Sequence, residues 1–154
     1  MKKIFLTVIV AIAAFLSAHA QDEMFKKLGN EKNISVVYIS KALLGLAGNM
    51  NIGDANISSL AGKLTMLEIY SSEDPNAIKL MKNESEKLLN DGSELETLMK
   101  AKEGGEVISF VGKKGKDGNI SELLMIADET NEFSIIRLIG NFTMKDIEKV
   151  TGGK

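Results

Sequence analysis

The sequence predicts an α+β fold in a single domain, with a mixed five-stranded sheet that ends in a three-strand antiparallel meander and is packed with helices. Three observations predict it. Residues 107–111, 120–127 and 133–142 are rich in β-branched and other apolar residues and are separated by the turn-forming clusters 112–119 and 128–132. Residues 75–90 place Ile78, Met81, Leu88 and Leu89 on one side and Lys79, Lys82, Glu86 and Lys87 on the other, the pattern of a half-buried helix. Strand-like runs at 34–40 and 63–71 are each followed by helix formers, as strand-helix-strand crossovers require, and crossovers between parallel strands are right-handed.

The elements follow in chain order. Lys2 and Lys3 precede an apolar run over 4–16, and Ala18-His19-Ala20 supplies a small-x-small site, so residues 1–20 read as a removed export signal. The run is too short to cross a hydrocarbon layer. No Cys follows it, so the expected product, residues 21–154, carries no lipid on a Cys and no membrane span, and is periplasmic or extracellular. Met24, Phe25 and Leu28 predict a short leading helix over 22–28. After the strand at 34–40, a helix is expected over 41–50 and another over 55–61, with Asp54 as its N-cap. Asp74 and Pro75 form a strong start for the helix at 75–90. Ser93 and Glu96 fit a capping box, predicting a helix to about Ala101. Gly104 and Gly105 then release the chain into the meander, and Thr143 caps a last helix holding Met144, Ile147 and Val150.

Composition excludes several chemistries. The only His, His19, lies in the leader, and the chain has no Cys or Trp. Without imidazole or thiol, the expected product cannot build a Ser-His-Asp or Cys-His centre, a zinc site on His or Cys, or the usual haem and copper sites. Loss of Lys2 and Lys3 leaves 17 basic against 21 acidic residues, without the basic stripe that nucleic-acid binding needs. No catalytic residue, metal ligand or cofactor is assigned.

If residues 129–132 make the turn, Asp128 pairs with Phe133 and Leu124 with Arg137, which places Glu122 diagonally beside Arg137. Arg137 is the sole arginine of the chain. Glu122 and Arg137 are therefore the candidate binding residues, either as a carboxylate or anion site or as an internal pair at the sheet rim, the second being the commoner fate of such an arginine. Glu68, Glu106 and Glu122 are candidates for the paired acids of glycoside hydrolysis, but the chain offers few aromatic platforms. The loop 112–118 lacks the Gly-Lys-Ser/Thr ending of a phosphate loop and precedes a strand, so it reads as an exposed hairpin loop. The acidic loop 128–132 has oxygen ligands but not EF-hand spacing. Asn-x-Ser/Thr matches at Asn33, Asn56, Asn83, Asn119 and Asn141 read as chance.

Both faces of the meander are apolar. Ile108, Phe110, Leu124, Ile126, Phe133 and Ile135 are expected on one side, and Val107, Val111, Leu123, Met125, Ile136 and Leu138 on the other. Helices over both faces are the expected arrangement; otherwise one face meets a partner or a second copy.

With the leader, the segments 35–41 (SVVYISK), 64–70 (LTMLEIY), 107–111 (VISFV), 120–125 (ISELLM) and 139–143 (IGNFT) resemble the DUF4252 family, small exported proteins of Bacteroidetes-type bacteria. The resemblance implies export and a compact α+β domain. It implies no activity and transfers no functional residue. The expected function is that of a non-enzymatic envelope protein, an interaction or accessory module that meets an unknown envelope protein or a second copy through a sheet face or edge. The alternative is a small-ligand binding protein or carboxylate-based hydrolase built around Glu122 and Arg137, which would require a pocket lined by converging polar side chains.

Overall fold

The computed structural model describes residues 21–46, 51–52, 55–56, 60–92 and 94–151. The expected leader lies outside them, as do the cap residues Asp54 and Ser93 and the end of the 41–50 helix. The elements are α1 (21–29), β1 (Ser35–Ser40), α2 (Lys41–Leu44), β2 (Asn51–Ile52), β3 (Ala55–Asn56), β4 (Leu64–Ser72), α3 (Pro75–Asn90), β5 (Leu95–Glu103), β6 (Glu106–Lys114), β7 (Ile120–Asp128), β8 (Phe133–Phe142) and α4 (Met144–Thr151). A single 3₁₀ turn, Ala61–Lys63, leads into β4.

One open sheet runs in the order β1-β4-β8-β7-β6-β5, and β2 and β3 form a separate two-stranded ribbon. The predicted sheet needs three corrections. It has six strands, not five, and every neighbouring pair among them is antiparallel, so there are no parallel crossovers to carry a hand. The sixth strand is β5, where a helix to Ala101 was expected. Gly104 and Gly105 take φ values of 58° and 93°, the pair of positive angles that a two-residue hairpin turn demands, and Glu103 faces Glu106 directly across them. The meander therefore contains four strands. The helix expected over 55–61 does not start at Ala55, because Ala55 and Asn56 pair back onto Ile52 and Asn51, and residues 57–59 lie outside the described residues.

The sheet separates two apolar layers. On one face α1 and α3 cover Tyr70, Val111, Leu124, Ile126 and Ile135, with Phe25, Leu28 and Met81 pressed onto them. On the other, α2, the 3₁₀ turn and α4 supply Leu44, Leu60, Ile147 and Val150 against Leu67, Phe110, Leu123 and Leu138. Helices thus stand on both sides of an antiparallel sheet whose central strands are apolar on both faces. The expected division of side chains is reversed on β6. Val111 pairs with Leu124 and Phe110 with Met125, because an irregularity between Lys113 and Lys114 shifts the register by one, and one residue moves every side chain to the opposite face.

Local chemistry fixes the helix starts. The Asp74 carboxylate accepts from the amides of Asn76 (3.0 Å) and Ala77 (2.9 Å), and Pro75 follows it at the first helical position. At α4 the Asp146 carboxylate accepts from both the amide and the hydroxyl of Thr143, while that hydroxyl accepts from the Asp146 amide. Lys63 Nζ reaches the same Asp146 oxygen at 2.6 Å. Together, the Lys63 hydrogen bond first and the Thr143 bonds next, these contacts hold the Asp146 carboxyl well below the usual carboxylate range.

Candidate functional site

Arg137 lies midway along β8, a central strand, and its side chain points to the α1 face together with those of Phe133 and Ile135. The 129–132 turn sets its position. Glu129 N donates to Glu132 O at 2.9 Å, Asp128 pairs with Phe133 and Leu124 with Arg137, the register the sequence predicts. Glu68 on β4 stands directly opposite Arg137, and a bulge between Ile120 and Glu122 leaves Glu122 facing Ile139, one step along the same face.

Three carboxylates converge on the guanidinium. Arg137 Nε donates to Glu122 Oε1 at 2.5 Å, Nη1 to Glu68 Oε2 at 3.2 Å, and Nη2 to Asp22 Oδ1 of α1 at 3.1 Å. Arg137 Cζ lies over the Phe25 ring, 4.3 Å from its centroid, a cation–π contact. Arg137, Glu68 and Glu122 are nearly excluded from solvent, whereas the Asp22 side chain is 74% exposed. Tyr70, two residues beyond Glu68 on the same face, packs against Phe25 at 5.2 Å between ring centroids.

Burial opposes the charge on Arg137, but Glu122, Asp22 and Glu68 outweigh it and raise the guanidinium pKa above its ordinary value. The Tyr70 phenol is pushed up to about 12 by burial, by the Glu68 charge and by its hydrogen bond to Glu68, with Arg137 acting in the opposite direction. All three guanidinium nitrogens thus donate to the protein, and the group sits over the Phe25 ring. An incoming anion would have to share the guanidinium with three carboxylates, whose negative charge opposes it. The pair expected at the sheet rim is instead an internal tie joining α1, β4, β7 and β8.

Of the three acids singled out in the sequence, Glu68 and Glu122 meet at Arg137, while Glu106 sits at the hairpin turn opposite Glu103. Sequence reasoning missed Asp22, Phe25 and Tyr70, whose approach to Arg137 depends on β4 lying beside β8 and α1 crossing both. The two charged loops are internally engaged as well. Lys113 and Lys114 pair with Glu94 (3.2 Å) and Glu96 (3.1 Å), and Asp117 accepts from the Asn119 amide and from Asn141 Nδ2. Asp128 pairs with Lys82 at 2.7 Å.

The two edges of the sheet differ. On β1, Val36 (41% exposed), Val37 (45%) and Tyr38 (60%) present apolar surface without a single charge from Ser35 to Ser40. On β5, Glu96, Lys100, Lys102 and Glu103 intersperse the edge with charge, a pattern that discourages pairing with another strand.

The family model for a domain of unknown function, DUF4252, matches residues 25–150. The chain belongs to the DUF4252 family. The matched span includes Phe25, Glu68, Tyr70, Glu122 and Arg137 and leaves out Asp22, the exposed member of the cluster. No curated protein and no solved structure matches this DUF4252 chain. Among the described residues, no helix is long and apolar enough to cross a membrane.

Proposed function

We propose that this DUF4252 protein is a non-enzymatic interaction module of the bacterial envelope, exported through the leader at 1–20, and that it docks other chains along the β1 edge. One observation carries the reading: among the described residues β1 is an uncharged apolar edge with no strand on its outer side, whereas β5 is charged. A strand edge offers unpaired amides and carbonyls that a second strand satisfies, and side chains on both faces that add specificity. The Arg137 cluster supports the same reading, because each guanidinium nitrogen already donates to a carboxylate that helps hold the fold together. A role for Glu122 and Arg137 in binding a small ligand, or in carboxylate-based hydrolysis, would require that tie to open.

The test is site-specific photocrosslinking in cells that export the full chain. A photoreactive residue in place of Tyr38 is expected to give crosslinked species in the envelope fraction, and the same residue in place of Lys100 on β5 is not. Equal crosslinking from both edges, or none from Tyr38, would overturn the proposal. N-terminal sequencing of the recovered protein is expected to begin at Gln21, which checks the export step separately.

A further inference from the structure

We infer that the occupant of the β1 edge is a second copy of this chain, paired antiparallel about a two-fold axis at Val37 to form one continuous twelve-stranded sheet. The inference rests on the docking reading above and names its partner.

Geometry selects the register. An antiparallel two-fold perpendicular to the sheet keeps each face on its own side, so residues facing one another must have the same parity in sequence. Tyr70 and Glu68, which point to the α1 face, are the partners of Val36 and Tyr38, so these two share that face and Val37 takes the other. Centring the axis on Val37 then sets Val36 against Tyr38 of the second copy and Val37 against itself. The three exposed apolar side chains of the edge are thereby paired only with one another.

Charge permits this pairing. No charged residue lies between Ser35 and Ser40, so the six paired positions of the seam bring no like charges together. Pairing β1 with β5 of another molecule would instead set the apolar edge against Lys100 and Lys102 and would propagate without closing. A β1–β1 contact closes after two copies. The exposed Leu43 and Leu46 follow β1 directly on the covered α2 side and widen the apolar surface beside the seam.

A six-residue seam is shorter than a standard interface of about 1,600 Å² requires, so association is followed from about 1 to 500 µM. Protein purified from cells expressing the full chain is examined by light scattering coupled to gel filtration, with mass expected to rise toward twice the monomer value. Across the two-fold, the Val37 Cα atoms stand about 4.5 or 5.5 Å apart, both within reach of a disulfide. Because the chain has no Cys, Val37→Cys is expected to crosslink to a dimer under mild oxidation, and Lys100→Cys is not. Val37→Lys, and independently Tyr38→Lys on the opposite face, are expected to be folded by circular dichroism and monomeric. A monomer throughout the range, or a dimer that both lysine variants and the Val37→Cys pattern leave unexplained, would overturn the inference. If the wild type is monomeric while the Tyr38 photocrosslinker captures a different protein, self-pairing is overturned and the docking edge stands.

Discussion

Arg137 ties four elements together, and removing it unbalances charge in a nearly dry site. Arg137→Met would leave Glu68 and Glu122 packed beneath α1 without a countercharge, a change that costs about 3–5 kcal/mol. The expected result is a lowered urea midpoint, with partial recovery when Glu68→Gln and Glu122→Gln are added, since neutral amides do not need the missing cation. Asp22→Asn is expected to cost less than about 1 kcal/mol because that carboxylate stands mostly in water. Tyr70 gives the same cluster a pH signature. Its folded pKa of about 12 lies above the ordinary 10.0, so the neutral phenol is favoured by the fold, and its contribution is complete below pH 10 and lost as pH rises toward 12. Phenolate absorbance is expected to show a late phase that Tyr70→Phe removes, and the chain has only two tyrosines to separate. A shift of that late phase to lower pH in a folded Arg137→Met protein would contradict the assignment, because Arg137 acts to lower the Tyr70 pKa.

At the scale of elements, the segments legible in the sequence were those whose local signals agreed with their surroundings. The β7–β8 hairpin was readable to the register because a four-residue turn fixed it, and α3 was readable because Asp74, Pro75 and the apolar stripe point the same way. Segment 95–103 was not. Leu95, Glu96, Met99, Lys100 and Ala101 are strong helix formers, yet the Gly104–Gly105 turn folds them against β6, where backbone pairing outweighs a preference worth a few tenths of a kcal/mol per residue. The Glu122–Arg137 pair was visible because it spans one hairpin. Glu68 is legible as a candidate acid on its strand but not as a partner of Arg137, and the approach of Asp22 and Phe25 is not legible at all, because these residues arrive from elements distant in sequence. Bulges were equally hidden, and Gly140 shows what one of them demands. It pairs with Leu64 where the β4–β8 register shifts, and a Cβ there would collide with the Lys63 carbonyl and the Phe142 ring. Lys63 is held by its amide bond to Leu60 O and by Asp146, so the backbone has little freedom to retreat. Gly140→Ala is therefore expected to lower stability by about 1–3 kcal/mol. Gly62→Ala, which meets nothing, is expected to stay within about 0.5 kcal/mol in the same denaturation assay.

For the whole molecule, the asymmetry between edges decides whether assembly stops. An antiparallel sheet open at both ends can add strands indefinitely unless one edge refuses them. In the proposed pairing β1 accepts a strand, and the charges of Glu96, Lys100, Lys102 and Glu103 on β5 oppose one, since a strand laid along them would have to desolvate or face those charges. Replacing Lys100 and Lys102 by Thr keeps the strand propensity of β5 and removes the positive charges from its edge. Glu96 and Glu103 remain near the strand ends, but the middle of the β5 edge is then uncharged, so each closed pair would present a pairing-competent strand at either end and assembly would continue into filaments. Concentration-dependent light scattering and thioflavin binding are expected to rise in the Lys100→Thr, Lys102→Thr protein and to stay flat in the wild type. Adding Val37→Lys to the double variant closes the β1 edge and is expected to limit growth to pairs joined through β5. Filaments that persist after that addition would show that growth proceeds from some other surface, and would remove edge asymmetry as the reason the proposed pair stops at two copies.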